Sequence, residues 1–356
     1  MPEATVYNAR PTVKVDGSED EMLHTLLLAM EMTEGEGGMS AVELRVSNLV
    51  SRPDGTAELA WEDGAKLKLG AKLEVAAGDV SAPTEIFRGT ITGLEAHFDH
   101  TSPPELVVLA EDALQKARMA RRSKVHDAAT ISGIAGDVAS KAGLSPRVTG
   151  LSDDLGTQVQ LNESDLAFLR RMLARHDGDL QVIENDLAVA PRADTRRGEV
   201  ELAMYGPLRS VRVLADVTQQ VTETTTSGWD AKQGQRVSAT STGADTGPGS
   251  GKKGSDAVKE AIGARSEHVA DLAVGTDAEA KALADAAFDR RQRRFVTVAG
   301  VCEGNALVRV GTHVKLTGLG PRFSNSYHVV RAIHRWDVEE GYRTEFEGEC
   351  AFLGEG

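Results

Sequence analysis

The stretch Asn162–Leu180, with the sequence NESDLAFLRRMLARHDGDL, says more about the fold than any other part of this 356-residue chain. Asn162 or Ser164 can accept hydrogen bonds from the free N–H groups of a first helical turn, so either residue predicts a helix start. Helical spacing then recurs at apolar residues, namely Leu166, Leu169, Met172 and Leu173. The pair Asp177–Gly178 predicts the end of the helix.

The flanks of this helix indicate a small α/β unit. On its N-terminal side, Thr130 predicts the cap of another helix over Ile131–Ala142, and Gly143 predicts the end of that helix. On its C-terminal side, Leu180–Val189 has the alternation and the polar tip of a hairpin. We therefore assign residues 118–197 to an α/β insertion domain.

The sequence on both sides of this unit is typical of short β-strands punctuated by Gly, Pro and Asp. Strands in residues 1–117 are predicted at Thr12–Val15, Ala41–Val46, Lys66–Val75, Phe87–Leu94 and Glu105–Ala110. Strands in residues 198–356 are predicted at Val200–Met204, Ser210–Val217, Gln219–Trp229, Arg236–Thr240, Phe295–Val301, His313–Thr317, Tyr327–Trp336 and Tyr342–Cys350. Short strands at this spacing favour a barrel or a sandwich. The predicted fold class is mainly β with helical insertions (α+β).

Two other elements are predicted within residues 198–356. Residues 243–255 are rich in Gly, Ser and Lys, so we expect a flexible surface loop. Residues 277–291 form an Ala-rich amphipathic helix. Near the end, Tyr327–Trp336 and Tyr342–Cys350 should pair as a hairpin, with Phe346 pointing inward.

The composition excludes several classes of function. The net charge is −14, which argues against nucleic-acid binding, because that requires clustered Lys and Arg. The two short basic clusters, Arg118–Lys124 and Arg290–Arg294, are better explained as helix ends or solvated faces. No segment approaches the ~20 apolar residues of a membrane span. The N-terminus does not have the pattern of a signal peptide, so we expect synthesis in the cytoplasm. Cys302 and Cys350 are expected to be buried thiols.

A search for catalytic and metal-binding patterns nominates no residue. His97 and His100 are the one close histidine pair, but their odd offset sends them to opposite faces of a strand, so a polar turn explains them better than a metal. Trp229 and Trp336 are expected to pack in the interior, next to turn residues. We therefore predict a non-enzymatic protein without a cofactor, a metal or a catalytic residue.

Three segments together resemble one known family. The helix over residues 162–180 resembles a signature of the phage late control gene D protein family, whose members are baseplate hubs of contractile tails. The N-terminal hub portion of VgrG spike proteins is similar. The matching residues are Glu163, Ser164, Asp165, Leu166, Phe168, Leu169, Arg175, His176 and Gly178. Residues 131–144 resemble the family's preceding helix. The C-terminal matches include Gly311, Gly318, Tyr327, His334, Gly341, Tyr342 and Phe346.

The resemblance implies a fold and an assembly. It implies two tube-like β-barrel hub domains, residues 1–117 and 198–356, around the insertion domain. It also implies a homotrimeric ring that joins a hexameric inner tail tube to a trimeric spike, next to other baseplate or wedge proteins. Because this chain stops at Gly356, where VgrG chains continue, the spike is expected to be a separate protein. The setting would be a phage tail, a tailocin or an extracellular contractile injection system. The alternatives are a tail-tip cell-wall hydrolase and a glycan- or receptor-binding module.

Overall fold

A computed structural model describes residues 10–51, 54–79, 82–151, 154–192, 194, 197–270 and 274–355. We call residues 10–114 the first β unit, residues 115–192 the insertion unit and residues 197–355 the second β unit. The fold is mainly β with helical insertions, which confirms the predicted fold class.

The bounds of the elements follow the chain. The first β unit contains β1 Thr12–Val15, β2 Ser18–Glu19, α1 Glu21–Leu26, β3 Leu27–Gly35, β4 Ser40–Ser47, β5 Leu49–Ser51, β6 Ala57–Leu59, β7 Lys72–Ala77, β8 Thr84–His97 and β9 Glu105–Asp112. The insertion unit contains α2 Gln115–Met119, β10 Arg121–His126, α3 Ile131–Ala142, β11 Ser145–Val148, β12 Gln158–Ser164, α4 Asp165–Arg175, β13 Gly178–Ile183 and β14 Asp186–Pro191. The second β unit contains β15 Glu199–Ala203, β16 Leu208–Ala215, β17 Glu223–Asp230, β18 Gln235–Ser241, β19 Lys252–Lys253, α5 Gly254–Ala261, β20 Ser266–Val269, α6 Asp277–Arg293, β21 Val296–Glu303, β22 His313–Thr317, α7 Gly320–Phe323, β23 Asn325–Asp337, β24 Gly341–Cys350 and β25 Phe352–Leu353.

The two β units share one 13-stranded sheet. Its strand order is β16-β21-β24-β23-β3-β4-β9-β8-β7-β1-β2. In addition, β22 pairs with β23, and β15 pairs with β22. The joint is the antiparallel pairing of β23 with β3, in which Arg331–Asp337 lies opposite Ala29–Gly35. At the other end of β23, Asn325–His328 pairs with β22 instead. One long strand therefore belongs to both halves of the molecule.

The hairpin of β23 and β24 contributes to two cores. Trp336 and Tyr342, near its turn, pack in the core of the first β unit. Tyr327 and Phe346, farther from the turn, pack in the core of the second β unit. Buried and less buried residues alternate along β24, with Phe346 inside. The predicted hairpin and its inward face are confirmed.

The insertion unit has its own core. Helices α3 and α4 lie beside the three-stranded sheet β11-β14-β13. Their apolar faces meet around Ile134, Val138, Phe168, Leu169 and Leu180, all of which are buried. Strands β10 and β12 form a separate two-stranded ribbon. Helix α2 crosses the predicted boundary at residue 117 and packs with this core; the boundaries at 117 and 197 themselves stay predictions.

Residues 243–251 form a largely exposed loop outside any helix or strand, as predicted, whereas residues 252–255 belong to β19 and to the start of α5. The backbone N–H groups of Ala244 and Asp245 donate to the carboxylate of Asp289. Strand β19 pairs with β25, and α5 begins at Gly254. Distant side chains thus accept hydrogen bonds from part of the segment's backbone, although its composition is polar. The predicted helix over 277–291 extends to Arg293 in the structure.

Three smaller features complete the description. Cys302 and Cys350 are buried free thiols. Trp336 is buried, but Trp229 is 59% exposed, so the expectation that it packs inside is wrong. Among the described residues, no helix is both long enough and apolar enough to span a membrane.

Candidate functional site at the junction of the units

The start of α4 is held by a set of polar contacts. Ser164 caps the helix, because its Oγ accepts from the backbone N–H three residues later at 3.2 Å. Asp165 is buried and accepts from Lys141 Nζ at 2.7 Å and Gln160 Nε2 at 3.1 Å. Burial by itself raises the pKa of Asp165, but the bonds from Lys141 and Gln160 and the charge of Arg122 lower it below its usual value. These contacts join α3 and α4 to the β10–β12 ribbon.

The other residues at 163–169 that carry the family resemblance form part of the insertion unit and its core. Leu166, Phe168 and Leu169 are fully buried there. Glu163 accepts two hydrogen bonds from Arg171, at 2.9 and 2.8 Å, and the pKa of Glu163 is lowered chiefly by them. Each residue therefore shapes the helix or its packing.

The aromatic residues of the C-terminal signature lie inside the sheet. Tyr327 Oη donates to the backbone oxygen of Phe323 at 2.7 Å. His334 Nδ1 and Tyr342 Oη are 2.8 Å apart. Burial lowers the pKa of His334 to about 3, so its imidazole is neutral at physiological pH. Phe346 fills the second core.

The signature glycines have positive φ angles. The values are +84° at Gly311, +80° at Gly318 and +70° at Gly341. At Gly341 this conformation closes the turn between β23 and β24. At Gly311 a Cβ atom would lie 3.0 Å from Nε2 of Gln181, so the glycine also permits close approach to the insertion unit.

A buried ion pair links the two β units. Glu34, at the end of β3, accepts from Arg309 Nε at 2.7 Å and Nη2 at 2.6 Å. The backbone N–H of Val310 donates to the same carboxylate at 2.7 Å. Burial raises the pKa of Glu34, but the charges of Arg309 and Arg197 outweigh this effect and lower it to about 2. The carboxylate is therefore ionised whenever the chain is folded near neutral pH.

A second ion pair joins all three units. Arg192, from the insertion unit, bonds to Glu36 of the first β unit. Its Nη2 lies 2.7 Å from Glu349 of the second β unit. Arg294 Nε also donates to Glu349, at 3.1 Å. One buried guanidinium thus contacts both halves of the shared sheet.

The insertion unit is fixed by two further arginines. Arg293, at the end of α6, bonds to both carboxylate oxygens of Asp177, at 2.5 and 2.6 Å. Arg170 of α4 donates to the backbone oxygens of Gly37 at 2.6 Å and Gly38 at 2.9 Å, in the turn after β3. The basic segment Arg290–Arg294, predicted to be a solvated helix end, is in fact part of this junction.

These contacts surround a cleft of about 380 Å³ between the units. The charged groups on its walls are Glu36, Arg170, Asp177, Asp179, Arg192, Arg290, Arg293, Arg294 and Glu349. Within the described part of the chain, no three His, Cys, Asp or Glu side chains are placed to hold a metal ion.

The predicted signature residues occupy two separate places. Those of 163–169 lie in the insertion unit, and those of 311–346 lie in or beside the second β unit. The arginines of the junction, with Glu34 and Glu36, were not predicted as site residues. The basic cluster at 290–294 was the one signal in the sequence that could have revealed them.

The fold belongs to a class defined by phage tail proteins. The 43 kDa tail protein of prophage MuSo2 from Shewanella oneidensis matches with a TM-score of 0.69 at 13% identity, over 95% of this chain and 97% of that one. A tail protein from Neisseria meningitidis MC58 matches with a TM-score of 0.66 at 12% identity, over 96% of each chain. The E. coli c3393 protein, a type VI secretion system component with structural similarity to the T4 tail proteins gp27 and gp5, gives a TM-score of 0.57 at 12% identity, over 97% of this chain and 79% of that one. At such identities the likeness is one of fold.

The family follows from the sequence. A model of the Alg8 N-terminal domain family matches residues 50–338, and the chain belongs to that family. No curated protein matches the sequence.

Proposed function

We propose that the chain is a structural subunit of the baseplate hub of a contractile injection machine. In this proposal three copies form a ring that adapts a hexameric inner tail tube to a trimeric spike. The observation that carries it is the pairing of β3 with β23, which makes one sheet from two β units in a chain with the fold of phage tail proteins.

The proposed ring matches the number of subunits in the tube and in the spike. Each chain offers two β units, so a ring of three chains offers six, one for each subunit of a hexameric tube. The same ring offers three equivalent chains to a trimeric spike. A closed ring of identical contacts is the usual form of a homo-oligomer.

The ion pairs at the junction support a mechanical role. Glu34–Arg309 and the contacts of Arg192 hold the two β units in one relative position. Buried ion pairs contribute little net stability compared with apolar packing, but they penalise any arrangement that separates them. An adaptor that must keep two tube-facing units in register benefits from such a penalty.

An exposed apolar surface on the insertion unit is our candidate for contact between copies. It consists of Met119, Val125, Val159 and Leu161, which are 50–72% exposed. Val125 and Val159 lie directly opposite each other on the β10–β12 ribbon. Clustered exposed apolar side chains mark protein interfaces, and a two-stranded ribbon offers free edges for pairing.

The role of this surface can be tested by sedimentation. Leu161→Asp should shift the purified chain toward the monomer. Leu69→Asp changes a leucine of the first β unit that is 65% exposed, so it serves as a matched control and should leave assembly unchanged. Equal behaviour of the two variants would remove the ribbon from the proposed interface.

We also propose that the role is not enzymatic. The buried carboxylates of Glu34 and Asp165 each contact cations, and their pKa values are lowered, so neither is a free general acid. The alternative is a tail-tip hydrolase. Release of peptidoglycan fragments by the purified chain would contradict the proposal, and no release above buffer is expected.

The proposed function is tested by co-assembly. The chain is mixed with the tube and spike proteins of the same injection machine, and complexes are isolated by size-exclusion chromatography. We expect one complex that contains all three proteins. Failure to bind either protein, with each of them folded, would contradict the hub assignment.

A further inference from the structure

The cleft at the junction has more positive than negative groups on its walls. Five arginines and four carboxylates line it, in a chain whose net charge is −14. Arg192 and Arg293 are buried, whereas Arg290 and Arg294 are exposed. The cleft therefore has a buried guanidinium wall with further arginines toward solvent.

The four carboxylates already have partners. Glu36 bonds to Arg192, and Glu349 bonds to Arg192 and Arg294. Asp177 is held by Arg293, and the backbone N–H of Gly37 donates to Asp179 at 2.7 Å. The carboxylates are thus committed to contacts in the walls.

Two arginines of the cleft are hydrogen-bonded to neutral groups. Arg290 Nη2 donates to the backbone oxygen of Ala174 at 2.9 Å, and Arg170 donates to two backbone oxygens of the turn after β3. Partial loss of hydration lowers the pKa of both guanidinium groups, and Arg290 is the more exposed of the two. Carbonyl oxygens orient them without neutralising them.

Two buried donors of the same wall lack an acceptor. Nη1 of Arg192 and Nε of Arg293 have no hydrogen-bond partner, although the side chains are only 7% and 2% exposed. An unpaired buried donor is costly, and a charged one more so. This observation is independent of the charge count, and it leaves two charged donors without a partner inside the wall of the cleft.

We propose that this cleft is a binding site for an oxyanion, either a phosphate group or a carboxylate. Arg290 and Arg170 supply charge-assisted hydrogen bonds from opposite units. The positive charge of Arg192, in the buried wall, also attracts the anion. Guanidinium groups suit such anions because their planar donors match pairs of oxygen atoms. A bound anion would link α6 to α4 of the insertion unit, because Arg290 lies on α6 and Arg170 lies on α4. The inference does not depend on the hub assignment.

The test uses inorganic phosphate and glutarate on the purified full chain. Binding is measured by calorimetry and by thermal unfolding, against chloride at matched ionic strength. We expect saturable heat and a rise in melting temperature that chloride does not give. Binding of phosphate alone identifies a phosphate site, and equal binding of glutarate identifies a carboxylate site. If neither anion differs from chloride, the proposal is wrong.

Substitutions at Arg290, with a control at Arg209, test whether the anion binds in the cleft. Arg290→Gln removes an exposed guanidinium and should weaken binding by about tenfold or more, the loss of one charge-assisted hydrogen bond. Arg209→Gln is the matched control, because Arg209 pairs with Glu303 away from the cleft and should leave the affinity unchanged. If Arg290→Gln binds poorly because it is unfolded, Arg290→Lys, which keeps the charge, should retain part of the affinity. Full affinity in a folded Arg290→Gln variant would overturn the proposal.

Discussion

The carboxylate of Glu34 accepts two hydrogen bonds from the guanidinium of Arg309, at 2.7 and 2.6 Å, although the residues lie 275 positions apart. Glu34 belongs to β3 and Arg309 precedes β22, so the pair spans the two β units. Both side chains are buried. The pair sits beside the joint where β3 and β23 make one sheet.

Breaking this pair from one side should be strongly destabilising. Arg309→Met leaves a buried carboxylate with one backbone donor, and the expected loss is about 3–5 kcal/mol in the free energy of unfolding. Urea unfolding followed by fluorescence measures it. The double variant Glu34→Met, Arg309→Met removes both charges and should recover most of the loss. A double variant as unstable as Arg309→Met would show that packing, and not the unpaired charge, dominates.

Acid should destabilise the fold in two stages. Burial lowers the pKa of His334 from 6.5 to about 3, so below pH 6.5 the unfolded chain binds a proton that the folded chain does not. Stability therefore falls with pH from 6.5 toward 3, by up to about 1.4 kcal/mol per pH unit for this group. Glu34, whose pKa is lowered from 4.5 to about 2, adds a loss below pH 4.5.

The variant His334→Gln separates these stages. It should be less stable than the parent at pH 7, because the bond to Tyr342 is disturbed. Its free energy of unfolding should fall less steeply between pH 6.5 and pH 4.5. Parallel curves for the two chains over that interval would rule out His334 as the titrating group.

Gly300 should be intolerant of a side chain. It lies opposite Phe346, and a Cβ atom there would be 2.6 Å from the phenyl ring. Gly300→Ala should cost about 1–3 kcal/mol through overpacking, measured by urea unfolding. Adding Phe346→Leu should restore part of the loss. Gly35→Ala is the control, because a Cβ atom on this strand glycine meets nothing within 4 Å. Equal costs at both glycines would contradict the close contact.

Asp289 should hold the segment 243–255 in place. Its carboxylate accepts from the backbone N–H of Asp245 at 2.8 Å and of Ala244 at 3.1 Å. Asp289→Ala leaves these donors unpaired and should cost about 1–3 kcal/mol. Limited proteolysis should also cut the segment faster in this variant. Lys259→Ala, at an exposed site on α5, is the control. Unchanged proteolysis would mean that other contacts hold the segment.

Two segments show what the local sequence can predict and what it cannot. The hairpin of β23 and β24 could be predicted because its alternation is local and its turn contains Gly341. The hydrogen bonds that anchor residues 243–255 could not be predicted, because their acceptors, Asp289 and Asn325, lie in distant parts of the chain. Composition reports what a segment can bury by itself, and not what another segment offers to it.

The strand that joins the two halves was also missed. Strand β3 is rich in Leu and Met, has little of the β-branched character of a typical strand, and turns Glu34 inward. Its partner β23 lies about 300 residues away in sequence, so no local pattern indicates the pairing. The signature residues of α4 were predicted from the family resemblance. The arginines of the cleft were not, because they come from separate parts of the chain that only the folded structure places side by side.

The stoichiometry of the assembled chain is the most direct test of the proposed hub. Native mass spectrometry should be performed on the purified chain and on its complex with the tube and spike proteins of the same injection machine. We expect three copies of this chain in the complex, with three spike chains and tube subunits in multiples of six. A chain that is monomeric alone and also enters the complex as a single copy, or as six copies, would contradict it.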